Sequence, residues 1–477
     1  MSDRVDVLII GAGLSGVDAA YRLQTESPDR RFLILEGRDA IGGTWDLFRY
    51  PGVRSDSDMF TLGYPFRPWR QPQAIATGET ILSYVRDTAA RFGIDKHIRY
   101  GRRVVAASWS TPDATWTVRT ASGEEFQSSF LFLCTGYYRY SSGFSPRFPG
   151  QDDFAGPVVH PQHWPADLDY EGKRVVVIGS GATAVSLVPA MAETAEHVTM
   201  LQRSPTYMIS LPTASGDGSE LSLARYRFRR GRNILATALL YQAARRFPSR
   251  VGAFLRRGVV QQLPPGVAVE RDFTPAYAPW DQRLCVVPDG DLFAAMREDR
   301  ASVVTGMIET FTEKGIRLTD GTELEADIIV SATGLTMVTF GEIAIEVDGS
   351  PVHSGDLHVY KGMMFDGVPN LAWCVGYINA SWTLRADLTA RYVCRLLNYM
   401  TRHRIDIVTP SRPPGASPAD APLMALSSGY VQRAASILPK QGSRTPWRSR
   451  NNYLVDMPAM RFGRIDDGHV TFARVKR

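Results

Sequence analysis

Phe154-Ala155-Gly156-Pro157-Val158-Val159-His160-Pro161-Gln162-His163-Trp164-Pro165 lies between two copies of one local pattern. Upstream, Val7-Leu8-Ile9-Ile10 runs into Gly11-Ala12-Gly13-Leu14-Ser15-Gly16. Downstream, Val175-Val176-Val177-Ile178 runs into Gly179-Ser180-Gly181-Ala182-Thr183-Ala184. Each copy opens with an unbroken apolar run, which fits a parallel strand covered on both faces. The quoted stretch is therefore the join between two βαβ units. The chain reads as α/β, with two Rossmann-like dinucleotide-binding domains. Its 477 residues are too many for one core and suit two or three domains.

In the first unit Gly11, Gly13 and Gly16 allow a tight turn and close backbone approach to a pyrophosphate. The helix that follows offers N–H groups and positive potential at its start. The next strand, Phe32-Leu33-Ile34-Leu35, ends in Glu36, which can accept hydrogen bonds from a ribose diol. Gly42-Gly43-Thr44-Trp45 offers small residues where backbone must approach a ligand. A charged, turn-rich segment, 49–58, comes next, and such a loop beside a cofactor can carry chemistry. Strands running into Cys134-Thr135-Gly136 and Ser331-Ala332-Thr333-Gly334 return the chain to the cofactor side, and a further strand ends at Gly376. A helix over 384–399 is expected to point its N-terminus at the ligand.

The second unit differs where Glu36 stood. Its second strand, Val198-Thr199-Met200-Leu201, ends in Gln202-Arg203-Ser204. A carboxylate repels a 2′-phosphate, whereas a guanidinium pairs with it bidentately. The first unit is thus expected to hold a dinucleotide with a free ribose diol. The second is expected to prefer NADP over NAD.

Composition excludes several classes. Hydrophobic content of 44% and charged content of 22% are ordinary for a globular protein, and a net charge of +5 does not point to nucleic acid. Cys134, Cys285, Cys374 and Cys394 form no C-x-x-C, so neither a disulfide scaffold nor a metal site is expected. Reduced, buried thiols suit a cytoplasmic protein. Asp3 and Asp6 interrupt any apolar leader, and no run approaches the ~20 residues that span a bilayer.

The segment 211–274 interrupts the second domain. Between 221 and 257 it holds ten arginines and no acid, with apolar residues interleaved. It reads as helical. Contact with an anionic membrane surface is one reading of it; a helical insertion with a solvated basic face is the plainer and preferred one. The Pro- and Ser-rich stretch 409–422 reads as a surface loop, and 447–475 as a last element packing back on the body.

The pattern Phe154-x-Gly156-x-x-x-His160-x-x-x-Trp164-Pro165 between two glycine loops resembles the fingerprint of the Baeyer–Villiger monooxygenases. The segments 49–58, Pro279-Trp280-Asp281-Gln282-Arg283-Leu284 and Asn379-Ala380-Ser381-Trp382-Thr383-Leu384 are similar to the branch containing the mycobacterial ethionamide-activating monooxygenase. The resemblance implies FAD and NADPH as cofactors. It places an FAD-binding domain at 1–148 and 332–477, a linker at 149–172 and an NADP-binding domain at 173–331. It implies catalytic roles for Arg283 and its acidic partner Asp56. FAD contacts are expected from Gly11, Gly13, Ser15, Gly16, Glu36, Gly43, Thr44, Trp45, Asp46, Leu47, Asp56, Val104, Gly136 and Gly376. NADP contacts are expected from Arg54, Ser55, Asp56, Gly179, Ser180, Gly181, Ala182, Thr183, Ala184, Arg203, Ser204 and Thr333. Gln282 stands where many relatives carry a lysine for the 2′-phosphate, which leaves more of that task to Arg203 and Ser204.

The implied reaction uses O2 and a small ketone, giving an ester or lactone through a flavin C4a-peroxide, with oxidation of thioethers as a second outcome. The peroxide anion would need a fixed positive charge in a site closed to bulk water, a role that suits Arg283. The linker is expected to sense docking of the NADP domain, with His160 as a hydrogen-bonding residue rather than a base. An enzyme oxygenating only nitrogen or sulfur is the alternative, and a non-catalytic flavoprotein the remaining one.

Overall fold

The computed structural model describes residues 3–214, 218–412, 421–424 and 426–475. Within the stretch expected as a Pro- and Ser-rich loop, 413–420 lie outside the described residues.

The apolar run at the start forms strand Asp3–Ile10, which pairs in parallel with Phe32–Leu35 on one side and with Glu125–Leu133 on the other. Val7, Leu8 and Ile9 are fully buried, as a strand covered on both faces requires. Helix Leu14–Glu26 begins directly after the glycine loop. The long strand Glu125–Leu133 serves three neighbours. Its first half pairs with the antiparallel strand Thr115–Thr120, and its last three residues pair in parallel with Leu371–Trp373. Ala344–Val347 and Ser350–Val352 extend the same nine-stranded sheet, so residues after 332 complete the first unit.

The second sheet has five strands in the order Ala301–Thr305, His197–Gln202, Arg174–Ile178, Ile328–Ser331, Val158–Val159. All are parallel. The edge strand is the centre of the opening stretch: Val158 and Val159 pair with Ile329 and Val330. The join is thus partly a strand of the second unit rather than a free linker. Gly156 permits this, because a side chain there would strike the Asp327 carbonyl.

The insertion forms helices Leu223–Arg246 and Pro248–Val260. Although it interrupts the second unit in sequence, Leu221 and Tyr226 are buried in the core of the first. Arg230 donates to the carbonyls of Phe60 (2.6 Å) and Gly63 (3.0 Å), satisfying buried carbonyls at the C-terminal end of the short helix Met59–Leu62. Asn233 donates to Asp58 at 3.0 Å. The 22-residue helix Trp382–His403 packs against Leu14–Glu26, and Arg22 donates to Asp387 at 2.8 Å across that contact. The C-terminal segment packs back through helix Tyr453–Phe462 and strand Val470–Ala473, which pairs with Ile407–Pro410. Cys134, Cys285, Cys374 and Cys394 are free and buried.

Candidate active site

A cavity of ≈ 530 Å³ runs along the C-terminal edge of the first sheet. Its floor is the glycine loop. Gly11 has φ +104°, and a Cβ there would lie 2.6 Å from the Cys134 carbonyl oxygen, so only glycine lets the loop cross this strand. Gly16 is held against the carbonyl of Gly11 in the same way. Ser15, Gly43, Thr44, Trp45, Val104 and Gly136 line the cavity. Glu36 lines it too, nearly buried, with one oxygen accepting from Ala12 N at 2.7 Å and the other from Arg38 N at 2.9 Å. Burial raises its carboxyl above the ordinary range, and these backbone donors work against that rise.

Several expected cofactor contacts fall elsewhere. Asp46 is buried beside the cavity, its carboxylate engaged by Arg38, Arg49 and Arg86, and Leu47 is buried in the core. Gly376 lies behind the wall. A Cβ there would sit 2.5 Å from Trp382 Cδ2, so this glycine makes room for the indole. Trp382 lines the cavity and its Nε1 donates to Ser15 Oγ at 2.7 Å. Sequence reasoning named Trp382 only within a motif. It missed Arg38, Tyr137, Tyr138 and Tyr140, although Tyr137-Tyr138-Arg139-Tyr140 follows Thr135-Gly136 directly.

Arg283 belongs to the second unit by sequence yet lines the cavity of the first. It precedes strand Cys285–Pro288, which pairs with Met208–Leu211. Its Nη2 donates to the Tyr137 hydroxyl at 2.7 Å. The Tyr137 ring lies 4.5 Å from Tyr138 and 5.2 Å from Trp382. Charge interaction with Tyr137 is the largest cause holding the guanidinium firmly protonated. Asp56 lies within electrostatic reach of Arg283 and Arg54 without a close ion pair to either. Asp56 and Arg283 are both exposed to solvent in the open cleft, with protein close around them. That surrounding protein pushes the Asp56 carboxyl up to about 6, with Arg283 and Arg54 opposing the rise.

The charged turn 49–58 is an interdomain contact. Tyr50 is buried in the core of the second unit, and Gly52, at φ +75°, lies on the Ser186 carbonyl of helix Ala182–Met191. Arg54 is expected on NADP, but its guanidinium is taken by Asp291 and, at 3.4 Å, by the Val185 carbonyl. Ser55 closes its own turn, donating to the Ser57 carbonyl at 2.9 Å. Thr333 donates to the Phe144 carbonyl at 2.6 Å, which fastens the segment leading into the linker rather than facing a ligand.

The second glycine loop remains open. Gly179, at φ +137°, packs on the Ala332 carbonyl, and Gly181 caps helix Ala182–Met191 with open space where a side chain would begin. Ser180 Oγ donates to the Ser204 carbonyl at 3.1 Å, which ties the Arg203 segment beside the loop. Arg203 is exposed. In the linker, His160 Nδ1 accepts from Gln162 N and Nε2 donates to the Gly334 carbonyl, both at 3.1 Å. The backbone donor at Nδ1 selects the Nε2–H tautomer, and burial lowers the imidazole's pKa. His160 is thus a satisfied latch. Phe154 is buried edge-to-face on Phe311, and Trp164 packs on the core of the second unit with Pro165 beside it.

Two dinucleotide-type units facing one cleft, with an arginine of the second reaching into the cavity of the first, define an oxidoreductase that works with two nucleotides. A family model described as flavin-binding monooxygenase-like matches residues 54–250, and one for an NAD(P)-binding Rossmann-like domain matches 9–72. The chain is 52% identical to the FAD-containing monooxygenase EthA of Mycobacterium tuberculosis, over 99% of each chain. It is 49% identical to the putative FAD-containing monooxygenase MymA of the same organism, over 99% of this chain and 98% of that one. The protein belongs to this family of FAD-containing monooxygenases. Among solved structures, an oxidized steroid monooxygenase bound to NADP superposes with TM-score 0.78 at 23% identity, covering 99% of this chain and 100% of that one. A cyclohexanone monooxygenase in an open crystal structure superposes with TM-score 0.76 at 20% identity, covering 99% and 100%. Both likenesses are of fold.

Proposed function

We propose that the protein is an NADPH- and O2-dependent Baeyer–Villiger monooxygenase. It inserts one oxygen atom beside the carbonyl of a small ketone and also oxygenates thioethers. The observation that carries this reading is Arg283, which brings a permanent positive charge from the second unit into the cavity of the first.

The residues present fit FAD. The glycine loop leaves bare backbone along the cavity floor, and Glu36 retains lone pairs for a ribose diol beyond its two backbone bonds. NADPH fits the second loop, where Arg203 supplies charge for the 2′-phosphate. When bound, the flavin accepts hydride from NADPH and activates O2.

The chain's own residues do the rest. The Tyr137 hydroxyl holds Arg283 Nη2, fixing the guanidinium against the cavity wall. A fixed cation stabilises negative charge developing nearby, and does so far more once bound nucleotides displace the water that reaches Arg283 in the open cleft. Asp56 adjusts that field according to its protonation. Tyr50, Gly52 and the Arg54–Asp291 pair keep the second unit seated so that Arg283 stays in place. The sheet memberships support 1–148 with 332–477 for FAD and 173–331 for NADP, and they join Val158–Val159 of the linker 149–172 to the second unit. The buried free thiols support a reducing, cytoplasmic setting. Among the described residues no helix is long and apolar enough to cross a membrane.

The test is product analysis by mass spectrometry with a cyclic ketone and a thioether, under NADPH and O2. Lactone formation supports the proposal. Sulfoxide alone, with the ketone untouched, replaces it with the nitrogen- or sulfur-oxygenating reading.

A further inference from the structure

Helix Leu223–Arg246 carries two apolar stripes, and the fold uses only one. The inward stripe is accounted for: Tyr226 and Ala244 are buried, and Arg230 on that side bonds the first unit. The outward stripe is Phe228, Leu235 and Leu239, exposed by 72%, 49% and 60%. At 100° per residue these three fall within about 40° of one another. The second helix repeats the arrangement with Phe247 and Phe254, exposed by 50% and 64% and spaced seven residues apart.

Guanidinium groups stand among these side chains. Arg225, Arg232 and Arg246 flank the first stripe by helical position, and Arg250 and Arg257 lie beside Phe247 and Phe254. On this hairpin Arg245 pairs with Asp281 and Arg256 with Glu270. Arg225, Arg232, Arg246, Arg250 and Arg257 have no acidic partner among the described residues. Within 221–257 the sequence contains no Asp or Glu, and Glu220 just before it pairs with Arg70.

We infer that this hairpin is a docking surface for an anionic lipid membrane. Such an interface takes large apolar side chains below the headgroups and guanidinium groups level with the phosphates, their aliphatic stems lying along the apolar layer. Phe228, Leu235 and Leu239 are spread over ~17 Å of helix, a reach that suits a yielding layer. The charge is uniformly positive, which selects anionic over neutral lipid. The contact is peripheral, because the opposite face of the same helix is packed on protein.

The test uses the full, FAD-loaded chain, sedimented with vesicles of phosphatidylcholine alone or mixed with phosphatidylglycerol. The chain is expected to pellet with the mixed vesicles at low salt, and far less at high salt or with phosphatidylcholine alone. Each basic group near an anionic surface is worth about five-fold in affinity. Arg246→Glu with Arg250→Glu should therefore weaken binding at least about 25-fold. Phe228→Ser, Leu239→Ser and Phe254→Ser together should abolish it while NADPH oxidation with a soluble ketone is unchanged, which also reports that the variant folds. Failure to pellet with anionic vesicles at low salt overturns the proposal. So does retention of binding by both variants. Sedimentation velocity showing a dimer that the triple serine variant splits would assign the ridge to a second copy of the chain instead.

Discussion

Gly376→Ala tests the reading that this glycine serves the indole of Trp382 rather than the cofactor. The added methyl would sit 2.5 Å from Trp382 Cδ2, and the Tyr137 ring lies 5.2 Å from the indole. Carbon atoms pack at about 3.5–4.0 Å, so the ring must move by ~1 Å or more. Forcing extra volume into a packed site costs about 1–3 kcal/mol. The shift also breaks the 2.7 Å bond from Trp382 Nε1 to Ser15 Oγ, worth about 1 kcal/mol. The expected loss is ~2–4 kcal/mol in total, read by urea unfolding of the flavin-free protein. Because the indole is a cavity wall, flavin retention should fall as well; each ~1.4 kcal/mol lost there is a tenfold rise in Kd. Trp382→Phe alone should show only the hydrogen-bond loss, and Gly376→Ala combined with Trp382→Leu should recover stability relative to Gly376→Ala. If Gly376→Ala unfolds within ~0.5 kcal/mol of the wild type and keeps its full flavin content, the assignment of Gly376 to the indole is wrong.

Three further expectations follow from the site. Arg203→Ala should raise KM for NADPH about 10–100-fold while leaving KM for NADH nearly unchanged, the range expected from losing a charged pairing with the 2′-phosphate; equal effects on both cofactors would remove Arg203 from that role. Asp56 has its carboxyl raised to about 6, so the folded state favours its neutral form. The associated stability is present below the ordinary value near 4 and is lost as pH rises through 6. The pH dependence of ketone oxygenation should inflect near 6 and lose that inflection in Asp56→Asn; an inflection unchanged in the variant would rule Asp56 out as its source. Arg22→Ala should destabilise by about 1–3 kcal/mol in chemical unfolding, since it leaves the buried Asp387 carboxylate with Arg391 alone, at 3.1 Å; a loss below ~0.5 kcal/mol would show that water reaches the site.

Much of this architecture is written locally. Glycine loops, unbroken apolar strands and Glu36 act through neighbours in sequence, so both nucleotide units and the acid were legible. The strand–Thr–Gly endings were legible in the same way, but their hydroxyls were not. Thr333 finds its partner 189 residues away in sequence. The turn 49–58 misled for a related reason. Its charges read as ligand-facing, whereas Tyr50, Gly52 and Arg54 meet a helix more than 130 residues on. Arg283 could be named from the segment resembling its family, but its position in the cavity of the other unit depends on how the two lobes pack. The helix Leu223–Arg246 lacks a single apolar face because it carries two, one packed on protein and one exposed.

The most direct test of the central claim is ketone turnover by Arg283→Ala in protein that still carries FAD and still binds NADPH. Removing one preorganised charge or donor of this kind costs about 10²–10³ in rate. Ketone oxygenation should fall by that factor while NADPH consumption continues, and Arg283→Lys should recover part of it, keeping the charge without the fork that reaches Tyr137. Turnover of the ketone by Arg283→Ala at the wild-type rate would contradict the account.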